Sequence, residues 1–230
     1  MSYDYPPGPS DQEAQGQADP GLAPTMTTRG GSSDPLFGLL LALAVSLGLV
    51  PSLPDGADLR YVLAWGALAF MGVLAWLLGN AERIGQEKPE DVAWGVGFGL
   101  LFGLPFLVFF GDTFGAAARL LFPEMSVGTR LALLVFVMPL GETLFFRGLL
   151  QRTMPLWTVA GLAGVWSVTL FLPIMWSEVL RAPAVAVFVV VALLAMQALY
   201  GYVQERNGLA SAWLSQIVVN LLLFFLPRLA

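Results

Sequence analysis

Seven apolar runs alternate with short polar or Gly/Pro-bearing breaks along this chain, at about 36–53, 61–78, 92–110, 129–150, 157–176, 183–203 and 209–227. Their lengths suit helices crossing the ~30 Å hydrocarbon core of a bilayer. None shows the period-two alternation of a barrel strand. Inside lipid the backbone must satisfy its own hydrogen bonds, which leaves helices as the spanning element. The pattern predicts an all-α fold, a polytopic integral membrane bundle of about seven transmembrane helices. Pro54, Asp55 and Gly56 close the first run, Gly79 to Arg83 the second, and Gly111 with Asp112 the third. Residues 113–122 are too short to span and read as an interfacial piece or an extension of the following helix. Tyr61, Trp157, Trp176 and Tyr202 fall near run ends, where aromatic belts sit.

Seven spans put the two termini on opposite faces. The basic residues do not fix which face is which. Arg29, Arg83, Lys88, Arg152 and Arg206 lie on one side, and Arg60, Arg119, Arg130, Arg181 and Arg228 on the other. Only Arg147, inside a run, leans toward the side of the amino-terminal tail.

Residues 1–35 differ in kind. They are rich in Pro, Gly, Ser, Asp and Gln and lack the apolar content for a core, which predicts a disordered acidic tail. A basic start followed directly by an apolar stretch, the mark of a secretory signal, is missing. The expected organisation is this tail followed by a transmembrane domain over 36–230.

Composition sharpens the picture. Hydrophobic residues make up 57 % of the chain and charged ones 12 %, against about 25 % charged in a soluble domain. The net charge is −5, and five acidic residues against Arg29 give the tail −4 of it. That balance excludes a nucleic-acid partner and leaves membrane lipid as the expected surrounding. With no cysteine, disulfides, Fe–S clusters and thiol catalysis are out. With no histidine, imidazole is unavailable as a general base or metal ligand.

Ionisable groups inside a membrane are costly, so each is a candidate site. Glu142 and Arg147 share the run Pro139-Leu-Gly-Glu-Thr-Leu-Phe-Phe-Arg-Gly148. Five residues apart, they point about 140° away from one another on a helix and should meet different neighbours. A plainer reading makes Pro139 the start of the helix and the two charges surface anchors. Gln216 and Asn220 lie on one face of the last run. Taken alone, they and Gln197 read as interhelical packing contacts, and Met175 as ordinary apolar packing.

Together these segments resemble the CPBP or Abi family, the CAAX-processing and bacteriocin-processing intramembrane proteases. Pro139–Gln151 is similar to its first motif, Glu-Glu-x-x-x-Arg in the context EELxFRGLL. Phe171–Met175 stands where Phe-x-x-x-His is expected. Gly201–Gly208 resembles the turn before the last motif, and Gln216–Asn220 stands where His-x-x-x-Asn is expected. The likeness covers about 92–226. It implies a multi-spanning α-helical protein in which the first Glu and the second-motif His activate a buried water. The third-motif His and Asn would stabilise an oxyanion, with Arg and the second Glu in support. The family has been described both as metal-dependent and as glutamate-dependent. Under this resemblance Glu142, Arg147, Phe171 and Asn220 keep motif identities. Thr143 replaces the second Glu, Met175 the second-motif His, and Gln216 the third-motif His.

A thioether cannot take a proton at neutral pH, and losing a general base typically costs about 10²–10⁴ in rate. An amide N–H can still donate to an oxyanion. One carboxylate with amides is too few ligands for tight zinc binding, so no cofactor or metal is expected. The leading reading is a catalytically degenerate relative with a binding, scaffold or regulatory role, holding a peptide or lipidated protein in the cleft. The expected location is multi-pass, in a bacterial plasma membrane. One alternative is an active glutamate-dependent endopeptidase using Glu142. A further one is an unrelated small transporter or assembly factor. The sequence carries no signal for oligomeric state.

Overall fold

The computed structural model describes residues 35–53, 57–79 and 88–228. The tail up to residue 34, the Pro54–Gly56 break and most of the Gly79–Arg83 break lie outside the described residues. Eight helices follow in chain order: α1 Pro35–Ser52, α2 Ala57–Gly79, α3 Pro89–Leu121, α4 Val127–Arg152, α5 Leu156–Phe171, α6 Trp176–Arg181, α7 Pro183–Asn207 and α8 Leu209–Phe225. Among the described residues there is no strand. All but the short α6 correspond to the seven apolar runs.

Helices α2, α3, α4 and α7 are long and apolar enough to cross a membrane. The three shorter apolar helices, α1, α5 and α8, have 16 to 18 residues, about 24–27 Å at 1.5 Å per residue. The outward surfaces are apolar: Leu101, Val108, Phe109 and Trp157 are 71–78 % exposed. Such a surface is stable against hydrocarbon and a liability in water. Reporter fusions at Asp19 and after Ala230 are expected to fall on opposite faces of the membrane. The same face for both would mean that one of the three short helices does not cross.

Helix α4 is the most enclosed of the long helices. It packs between α2 and α8, with α5 beside it. Glycines set two of these contacts. A methyl group added at Gly141 of α4 would lie 2.7 Å from the backbone oxygen of Trp65, and one at Gly72 of α2 would lie 3.0 Å from Leu144 Cβ. The backbones can approach this closely only because neither side chain exists. Helix α3 meets α8 the same way, through Gly95, Gly99 and Gly103, spaced one turn apart against Ser211, Ser215 with Val218, and Leu222.

Three local expectations are corrected. Residues 113–121 continue the preceding helix, not the following one. The backbone departs from helical geometry at Phe110 (φ −134°, ψ 18°), and the chain then resumes as the second half of α3. Gly111 and Asp112 look like a loop, but they sit just after a kink. Tyr61 is no belt residue. It is fully buried, and its hydroxyl donates to Leu121 O at 2.8 Å, satisfying a carbonyl at the end of α3. Trp157, Trp176 and Tyr202 are exposed at helix ends as expected. Finally, Pro139 does not start a helix. Helix α4 runs through it, and π-helical turns at Leu133–Val137 and Thr143–Leu149 absorb the disruption.

Candidate functional site

Glu142 lies near the middle of α4 between those two π-helical turns, and Arg147 lies within the second of them. Such turns re-aim side chains and occur often at functional sites. Glu142 is 3 % exposed and Arg147 1 %, which rules out the surface-anchor reading. A buried carboxylate needs its lone pairs filled. Helices α2, α7 and α8 do this for Glu142. Trp65 Nε1 donates to Oε1 at 3.0 Å. Gln216 Nε2 and Gln197 Nε2 donate to Oε2 at 2.7 and 3.2 Å.

Trp65 reaches the carboxylate because α2 lies against Gly141, one residue before it. Its indole is braced by Tyr61, with ring centroids 5.2 Å apart, and by Phe171 at 6.1 Å. The second-motif Phe171 therefore contributes to the site by supporting Trp65.

Arg147 does not turn to the Glu142 carboxylate, as the angular separation on the helix anticipated. Its guanidinium donates to Gln197 Oε1 and, at 3.4 Å, to the backbone oxygen of Glu142. It also lies over the rings of Tyr200 and Phe146, at 5.4 and 5.8 Å from their centroids, a favourable place for a desolvated cation. Gln197 thus stands between the two charges. Its amide N–H₂ serves Glu142 and, at 3.0 Å, Ser167 Oγ, while its carbonyl serves Arg147. The Ser167 hydroxyl in turn donates a hydrogen bond to Ala163 O at 3.0 Å. Both N–H donors of the Gln197 amide and one of its two carbonyl lone pairs are thus committed.

Thr143, in the place of the second motif Glu, donates to Gln216 Oε1 at 3.4 Å. That orients the Gln216 amide with its N–H₂ toward Glu142. Asn220 is one turn further along α8, and its Nδ2 donates to the Leu134 backbone oxygen at 3.1 Å. Glu142 and Gln216 therefore meet directly, while Asn220 is engaged with the backbone of α4. Met175 is half-buried and lines an apolar crevice of about 250 Å³ between the second half of α3, α6 and the start of α7. The crevice walls include Ala117, Leu120, Val179, Ala186 and Val189.

The residues present do not fit a metal ion. Three N–H donors converge on the one carboxylate and take three of its roughly four lone-pair sites, leaving far fewer than the three or four protein ligands that tight zinc binding needs. Among the described residues no cluster of three or more acidic side chains is placed to supply further ligands.

Nothing in the sequence marks Trp65 or Ser167 as a site residue, and Gln197 reads there only as packing. Its signal was being the one amide in the long apolar stretch of α7.

Seven apolar helices around a buried Glu–Gln–Arg network define a polytopic α-helical membrane protein with a polar centre. Residues 125–222, from just before α4 into α8, match the family model described as type II CAAX prenyl endopeptidase Rce1-like. The match spans every motif position named above and bears out the resemblance to the CPBP family. No curated protein and no solved structure matches the chain.

Proposed function

We propose that this protein is a non-catalytic Rce1-like membrane protein that acts by binding, as a scaffold or regulator, in a bacterial plasma membrane. The observation that carries this reading is the state of Glu142. Both carboxylate oxygens accept hydrogen bonds from side chains of three other helices, one on Oε1 and two on Oε2. A general base must reach a water and a substrate, and here fixed side-chain donors take three of the carboxylate's roughly four lone-pair sites. Histidine, the partner base of the family motif, is absent from the whole chain, and the aligned Met175 faces an apolar crevice. That crevice, with its Ala and Val walls, suits the alkyl chain of a lipid or lipidated protein. The family match over residues 125–222 speaks against the transporter alternative, which rested on a coincidental likeness.

Incubating the purified protein with prenylated and unprenylated peptides is expected to yield no fragments by mass spectrometry, with or without added zinc. Cleavage that disappears in Glu142→Ala would overturn the reading and establish a glutamate-dependent endopeptidase instead.

A further inference from the structure

Pro139 sits in the interior of α4, where a proline has two costs. It has no N–H to give to the preceding turn, and its ring crowds the carbonyl four residues back. The π-helical turn at Leu133–Val137 relieves the crowding by widening the helix. Met138 N–H reaches back five residues to Leu133 O. In that register the next carbonyl, Leu134 O, faces position 139, where no N–H exists. Leu134 is fully buried, so no water can serve its carbonyl cheaply. Asn220 supplies the missing donor, Nδ2 to Leu134 O at 3.1 Å.

The geometry points to a role for Asn220 that differs from the one the family motif implies: its side chain stands in for the backbone N–H that Pro139 lacks, and so locks the register of α4. Asn220 is itself the residue from which α8 passes into its own π-helical turn, Leu221–Phe225. The two widened turns, Leu133–Val137 and Leu221–Phe225, lie against each other. The lock therefore joins α4 and α8 at the point where each leaves α-helical geometry. Glu142 stands three positions after Pro139. A slip in register at the proline would rotate the carboxylate away from Trp65, Gln197 and Gln216. Asn220 is in this sense a positioning residue for Glu142, acting through the backbone. The lock holds whether or not the protein cleaves peptides.

A double-mutant cycle between positions 220 and 139 tests it. Asn220→Leu keeps roughly the same volume and removes the donor. It should lower the folding equilibrium constant about tenfold, the scale of leaving one buried carbonyl unsatisfied. Pro139→Ala restores a backbone N–H, so in that background Asn220→Leu should cost less than about threefold. The indole N–H resonance of Trp65, which reports the bond to Glu142, should shift in Asn220→Leu and return toward its original position in the double variant. Equal losses in both backgrounds would show that Asn220 acts by packing alone and would overturn the lock. If Asn220→Leu fails to fold, recovery of a folded double variant supports the proposal, and failure of both defeats it.

Discussion

Arg147→Met is expected to destabilise the protein by ~3–5 kcal/mol, the scale found when one partner of a buried charge pair is removed. A single interhelical hydrogen bond in a membrane protein is worth only about 0.6 kcal/mol on average. The larger figure applies because the substitution removes a charge as well as a contact. Arg147 is the buried cation that reaches the Glu142 side chain through Gln197. Without it the carboxylate keeps its three N–H donors but loses its countercharge. Gln197 would also be left with a carbonyl facing an apolar chain. Arg147→Lys should fall between the two, because an ammonium cannot reach Gln197 Oε1 and the Glu142 backbone oxygen with the fixed fork of a guanidinium. Changing both charges together, Glu142→Gln with Arg147→Met, should recover a large part of the loss, since no unmatched charge then remains. Denaturant or SDS titration of the wild type, Glu142→Gln, Arg147→Met and the double variant in one detergent gives the coupling. Strict additivity would mean that the two charges do not sense each other through Gln197.

The fold was legible because lipid leaves a chain few choices. A run of about 20 apolar residues in a bilayer must be helical, and seven such runs became seven helices. What failed to read was decided by neighbours remote in sequence. Gly111 and Asp112 look like a loop, yet α3 bends at Phe110 and continues. Tyr61 looks like a belt aromatic until Leu121 O is seen within reach of its hydroxyl.

The site divides the same way. Glu142 and Arg147 announce themselves because charge in an apolar run is expensive. Their separation on the helix correctly excluded a side-chain pair. Nothing along the chain says that Gln197, 50 residues after Arg147, fills the gap. Asn220 matched a motif, but its contact is dictated by Pro139, whose missing N–H has a consequence only in the folded bundle.

The glycines of α3 give the other large effect, with an internal control of opposite sign. Gly95, Gly97 and Gly99 stand within five residues, and their surroundings differ completely. A methyl group at Gly95 would collide with the Ser211 backbone, which has no rotamer with which to yield. At Gly99 it would come within 2.8 Å of Val218 Cβ and 2.9 Å of Ser215 O. At Gly97 the nearest atom is 4.0 Å away, on the Trp94 ring. Overpacking a close helix contact costs about 1–3 kcal/mol per site, so Gly95→Ala with Gly99→Ala should cost ~2–5 kcal/mol together. Gly97→Ala should instead stabilise by roughly 0.5–1 kcal/mol, because alanine in an open helical position loses less backbone entropy than glycine. The damage at 95 and 99 should also reach the polar centre. Helix α8 carries Gln216, whose amide is 2.7 Å from Glu142. Pushing α8 away from α3 shifts that donor, so the Trp65 indole resonance should move in the double alanine variant and stay in place in Gly97→Ala. Equal unfolding midpoints for the double alanine variant and Gly97→Ala would mean that α3 and α8 are not in close contact, and the packing that holds Gln216 on Glu142 would have to be sought elsewhere.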